Sequence, residues 1–187
     1  MNWEIYLKES LDIFQKLSSD DISSNISDSI DTISKSLKSG NSLLVCGNGG
    51  SASDAMHITG ELVGRFLEER KGLKAICLSS NPSILTAWAN DYSYDSIFSR
   101  QVEAFGERGG SIVCISTSGT SKNVVEAATK AKEIGMNIIS LTGKSGGDLA
   151  NLSDHIVRIP SESVPLIQQG HLVAYHFMCM GIEKNFT

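Results

Sequence analysis

Ser42-Leu-Leu-Val-Cys-Gly-Asn-Gly-Gly-Ser51 decides the fold: a short apolar run, a glycine turn, then the start of a helix that carries Asp54, His57, Glu61 and Arg65. A run this short, with no polar alternation, reads as a strand buried on both faces, and the glycines let the chain turn directly into a helix. The alternation recurs downstream. Leu73–Leu78 reads as a second strand, followed by a helix with Ile84, Leu85 and Trp88 and a helical stretch from about Ser96 to Phe105. Ser111–Ile115, Asn137–Leu141 and His155–Ile159 read as three further strands, with a helix through Val124, Ala127, Ala128 and Ala131 after the first of them. The chain closes on a helix from about Pro165 to Glu183. Five such strands separated by helices predict an α/β three-layer αβα sandwich on a mostly parallel sheet. Ligands of such sheets bind beyond the carboxyl ends of the strands.

Upstream of Gly40, Ile5, Leu7, Leu11, Phe14 and Leu17, then Ile22, Ile26, Ile30, Ile33 and Leu37, mark two N-terminal helices over residues 1–40. The narrow isoleucine stripe suits either the domain's own core or the same helix of another subunit. With 187 residues and no internal repeat, the chain reads as one domain, residues 41–187 forming the α/β core. A net charge of −5 gives no footprint for nucleic acid or an anionic membrane, so a phosphate would have to be held by hydroxyls and local dipoles. No apolar run reaches the roughly 18–20 residues of a membrane span, and Met1-Asn2-Trp3-Glu4 lacks a signal-peptide pattern. Cys46, Cys77, Cys114 and Cys179 show no metal-site spacing and read as buried thiols of a reducing, cytoplasmic setting.

Two strand-to-helix loops carry the candidate binding site. Gly47-Asn48-Gly49-Gly50-Ser51 is neither G-x-G-x-x-G nor a Walker loop; it is a tight turn or an anion cradle at a helix start. Ser116-Thr117-Ser118-Gly119-Thr120-Ser121 sets five hydroxyls in six residues before a helix. Such a run can be a solvated loop capped by Ser121, yet neutral hydroxyls at a helix N-terminus are also what holds a phosphate monoester without basic charge. Two such loops at neighbouring strand ends favour phosphate.

The helix after the first loop spaces His57, Glu61 and Arg65 by four, along one side. His57 with Glu61 suits joint metal ligation, although an exposed polar face gives the same spacing. In the last helix Gln168 and His176 are two i+4 steps apart and can face one cleft with His171 nearby. If the two helices meet, Glu61 and His176 supply a base and an acid, and His57, Glu61, Gln168 and His176 can hold a divalent metal.

Cys46–Ser51 continuing to Asp54-Ala-Met-His57 and Glu61-Leu-Val-Gly-Arg65 resembles the first signature of the bacterial phosphoheptose isomerases. Asn90-Asp91-Tyr92 with Ile97–Ala104, Ile115–Ser121 with Asn123, Leu141-Thr-Gly-Lys144, and Ile167-Gln168 with His171 and His176 are similar to their later segments. The resemblance runs from Gly40 to the end and implies the sugar-isomerase (SIS) fold, one zinc per subunit, and a homotetramer with sites at subunit interfaces. It implies that Ser51, Ser116, Thr117, Ser118 and Ser121 hold the phosphate, and that Asn48, Gly49, Gly50, Arg65, Asn90, Asp91 and Gln168 contact or orient substrate. By the same pattern His57, Glu61, Gln168 and His176 bind metal, with Glu61 and His176 as base and acid. The implied reaction is conversion of sedoheptulose 7-phosphate to a glycero-manno-heptose 7-phosphate, for lipopolysaccharide or capsule.

The closing motif departs from the family's usual Arg-Ile-Gln-Glu-x-His: here it reads Leu166-Ile167-Gln168-Gln169-Gly170-His171. The rival readings are a non-catalytic SIS adaptor that binds a replication initiator protein, a phosphosugar-sensing domain, and an isomerase for another sugar phosphate. An adaptor has no need for Glu61 and His176 together.

Overall fold

The computed structural model describes residues 2–187, and the sheet is wholly parallel rather than mostly so. Its strands are β1 (Leu43–Gly47), β2 (Ala75–Cys77), β3 (Ser111–Ser116), β4 (Asn137–Thr142) and β5 (His155–Arg158), in the order β2-β1-β3-β4-β5. Successive side chains of β1 point to opposite faces and both faces are apolar: Leu43 and Val45 enter one core, Leu44 and Cys46 the other. That is why the strands show no polar alternation in the sequence.

The first core lies under α2 (Asp20–Lys38), α3 (Gly50–Val63) and α7 (Val164–Lys184), through Ile33, Ile58, Leu62, Tyr175 and Met178. The second lies under α5 (Ser99–Phe105) and α6 (Lys122–Ile134), through Val102, Val124, Ala127 and Ala131. α4 (Pro82–Asp91) buries no residue fully. Of the two N-terminal helices, α2 uses its isoleucine stripe for this core, with Ile22, Ile30, Ile33 and Leu37 all buried. Helix α1 (Trp3–Lys16) does not: Trp3, Ile5, Leu7, Leu11 and Phe14 are exposed, and Ile13 is its buried apolar residue.

Strand order reverses between β1 and β3, which pair from Leu43↔Ser111 to Gly47↔Ile115. The glycine loop after β1 and the hydroxyl loop after β3 therefore stand side by side, at the crevice where parallel sheets bind ligands. All four thiols are free; three are buried and Cys77 is half-buried.

Several boundaries differ from the sequence expectation by one to three residues, two of them around the α3–β2 connection. β2 is shorter than Leu73–Leu78: the Leu73 amide donates to the Leu62 carbonyl rather than to β1, and the Leu78 amide closes the ladder on the Val45 carbonyl. Helix α3 stops at Val63, not near Phe66, with Gly64 as its C-cap at ψ −124°. Past Gly64 three consecutive amides, of Phe66, Leu67 and Glu68, donate to the Glu183 carboxylate instead of continuing the helix.

Candidate functional site

The glycine loop is shaped by close approach. A Cβ on Gly47 would lie 2.6 Å from the Ser51 carbonyl, and Gly49 adopts φ +56°. Asn48 is fixed by two amide–amide bonds with the buried Asn123, at 2.8 and 2.9 Å, and accepts from the Tyr94 hydroxyl at 2.9 Å. Ser51 is buried in the first turn of α3.

The second loop is internally bonded. The Ser116 hydroxyl lies 3.0 Å from that of Ser121, 3.4 Å from that of Ser118, and accepts from the Gly119 amide. Ser121 is the N-cap residue of α6, but its hydroxyl faces Ser116 rather than capping the helix. Gly119 and Gly147 interlock backbone to backbone, so a Cβ on either would collide with the other loop. Beside them opens a cleft of about 630 Å³ lined by Thr117, Ser118, Thr120, Lys144, Ser161 and Glu162. Thr120 and Asn123 thus join the loop's candidate residues; both stand in the motif, and only the fold shows that they face these partners.

The two helices meet. The His57 and His176 rings are edge to face with centroids 4.9 Å apart, and His57 Nε2 lies 2.9 Å from Glu61 Oε1. Behind them the buried Tyr175 hydroxyl sits 3.0 Å from His57 Nδ1 and donates to Asp54 Oδ1 at 3.4 Å. Burial raises the Asp54 carboxyl, the Tyr175 hydrogen bond opposing it, and the other oxygen, Oδ2, has no partner. Burial also raises the Tyr175 phenol, with Asp54 adding to the effect. His176 is lowered, first by desolvation and then by His57. A lowered pKa keeps its imidazole neutral at pH 7.

Not every expected residue arrives. Because α3 ends early, Arg65 leaves the face shared by His57 and Glu61; its side chain is 60% exposed and reaches Glu69 at 4.0 Å. Gln168 packs on the first turn of α3, where a Cβ on Gly50 would collide with its Nε2. That turn precedes His57 by roughly 10 Å of helix rise. Asn90 and Asp91 lie exposed at the end of α4, bonded to each other. His171 is a core residue, fully buried, donating from Nε2 to the Thr142 carbonyl, with its pKa lowered by burial to about 4.

The donors of the histidine cluster suit zinc chemically: two imidazoles and a carboxylate, with Tyr175 and Asp54 orienting His57 from behind. Among the described residues no three His, Cys, Asp or Glu side chains converge on one point.

Residues 5–143 match the SIS domain family. The chain is 46% identical over 181 residues to the phosphoheptose isomerase of Helicobacter pylori strain P12, covering 97% of this chain and 90% of that one. It is 50% identical over 156 residues to a probable phosphoheptose isomerase of Thermoplasma acidophilum, covering 83% and 86%. The structure of the Neisseria gonorrhoeae phosphoheptose isomerase superposes with a TM-score of 0.90 at 35% identity, over 97% of this chain and 96% of that one.

Proposed function

This chain belongs to the SIS-domain family, among its phosphoheptose isomerases, and is a sugar-phosphate isomerase; from that premise we propose that it interconverts D-sedoheptulose 7-phosphate and D-glycero-D-manno-heptose 7-phosphate. The observation that carries this reading is the His57 ring, which bonds Glu61 at 2.9 Å and packs edge to face on His176, joining α3 to α7. An adaptor has no need for Glu61 and His176 together.

The residues divide the work. Ser51, Ser116, Thr117, Ser118 and Ser121 anchor the phosphate through hydroxyls and through the starts of α3 and α6. With the phosphate held, the first two carbons of the sugar reach the histidine cluster. The Glu61 carboxylate takes a proton from C1 of the ketose and returns it to C2, leaving an enediolate between the two steps. The neutral His176 imidazole moves a proton between the two neighbouring oxygens, a task that neutral imidazole can perform. Tyr175 and Asp54 hold the His57 ring in place throughout. Zinc, for which His57, Glu61 and His176 are the proposed ligands, would polarise those oxygens when bound.

The assembly proposed is a homotetramer with sites at subunit interfaces. The apolar face of α1 and exposed Leu172, Val173 and Phe177 on α7 support it, as do the exposed positions of Arg65, Asn90 and Asp91. Among the described residues no helix is long and apolar enough to cross a membrane. A cytoplasmic location and a role in heptose supply for lipopolysaccharide or capsule complete the proposal. The test is incubation of the purified chain with sedoheptulose 7-phosphate and NMR detection of the aldose. Conversion is expected; none by folded, zinc-loaded protein would refute the heptose assignment.

A further inference from the structure

The connection from α3 to β2 holds a charged pair that the proposed chemistry does not use. Arg70 and Glu183 meet at 3.2 Å with both side chains 1% exposed. Arg70 donates to the carbonyls of Glu61 at 2.7 Å and Gly64 at 2.8 Å, closing the C-terminal end of α3. Glu183, on α7, accepts from Phe66 at 3.1 Å through one oxygen and from Leu67 and Glu68 at 2.8 and 3.1 Å through the other. Although burial alone would raise its carboxyl, these amides and Arg70 hold it below the usual carboxylate value.

Both ends of the unit touch the histidine cluster. One guanidinium nitrogen is bonded to the backbone of Glu61 itself. The segment that Glu183 fixes begins with Phe66, whose ring packs on His176 with centroids 5.7 Å apart. Glu183 stands on the same helix as His176, two turns on. The pair therefore ties the end of α3, which carries Glu61, to the helix that carries His176.

We propose that Arg70 and Glu183 are positioning residues that set the spacing between Glu61 and His176, an inference that rests on the reading of those two as base and acid. A buried ion pair is a poor source of net stability, since apolar residues of similar volume often replace one without loss. Its directional bonds to the Glu61 carbonyl and the 66–68 amides are what an apolar pair cannot supply. Displacement of a reacting group by about 1 Å is enough to cost about a hundredfold in rate.

The experiment replaces the pair by apolar residues, Arg70→Met with Glu183→Leu, and measures Tm, KM and kcat beside wild type and Glu61→Gln. Expected are a lowered Tm, since the Glu61 and Gly64 carbonyls and the 66–68 amides lose their partners, a KM within about twofold of wild type, since the phosphate loops are untouched, and a kcat lower by about ten- to hundredfold. A folded double variant with kcat within about twofold of wild type overturns the proposal. If the double variant does not fold, Arg70→Lys decides: it keeps the charge but loses the fork. Reduced kcat at unchanged KM and Tm in that variant supports the proposal, and wild-type kcat overturns it. Full activity in Glu61→Gln would instead remove the acid–base reading, and the inference with it, whatever the pair variants do.

Discussion

Gly170→Ala isolates a conflict between helix propensity and packing. In the middle of α7, alanine should stabilise the helix by about 1 kcal/mol over glycine. The added methyl would, however, stand 2.7, 2.9 and 3.0 Å from three carbons of Ile159, a fully buried residue just past β5. All of the Ile159 side chain beyond Cβ is in the way, so no rotation of a free end relieves the contact. Overpacking of this kind costs about 1–3 kcal/mol, and the closeness of all three contacts puts this site in the upper half. The net expectation is a loss of about 1–2 kcal/mol, or about 2–8 °C in Tm for a chain of this size. Thermal unfolding followed by circular dichroism measures it. In an Ile159→Ala background the contact is gone, so the two substitutions together should cost at least about 1 kcal/mol less than their sum. A Tm that rises in Gly170→Ala, or strict additivity in the double variant, would refute the packing argument.

His171 makes stability fall with acid: its folded pKa of about 4 lies below the ordinary histidine value, so the folded state resists the proton that the unfolded chain accepts. That contribution is whole above about pH 6.5 and shrinks by about 2 kcal/mol by pH 5. His171→Gln, though less stable at pH 7, should lose less Tm between pH 7 and pH 5 than wild type; equal losses would contradict this. Ser116→Ala removes the hydroxyl that bonds Ser121 and the Gly119 amide, and should raise KM for the sugar phosphate about tenfold while kcat changes little. A fall in kcat at constant KM would move Ser116 out of the phosphate site. Removal of zinc with a chelator should abolish turnover and leave the fold intact by circular dichroism, with activity restored by added zinc. Unchanged turnover in metal-free protein would rule out zinc as part of the chemistry.

The sheet was legible because its strands are short apolar runs bounded by glycine and hydroxyl loops; burial on both faces erases the period-2 alternation, so length and flanking residues had to identify them. The histidine cluster was half legible: the spacing of His57 and Glu61 puts both on one helix face, but their meeting with His176 depends on how α7 crosses α3. Arg65 was misplaced because its spacing continues the series, whereas the chain leaves the helix at Gly64 to give its amides to Glu183. Partners distant in sequence, such as Asn48 with Asn123 and Arg70 with Glu183, leave no local signal. The departures in the closing motif acquire structural reasons: Leu166 is buried, the Gln169 amide donates to the Tyr6 hydroxyl at 2.7 Å, and Gly170 makes room for Ile159.

The central claim is that Glu61 moves a proton between adjacent sugar carbons. Running the reaction in D2O and reading the product by NMR tests it most directly, because the Glu61 side chain is 21% exposed and can exchange its proton with solvent. The account predicts deuterium at C2 of the aldose made by wild type, and loss of both label and conversion in Glu61→Gln. Unlabelled product from wild type, or undiminished conversion by Glu61→Gln, would contradict it.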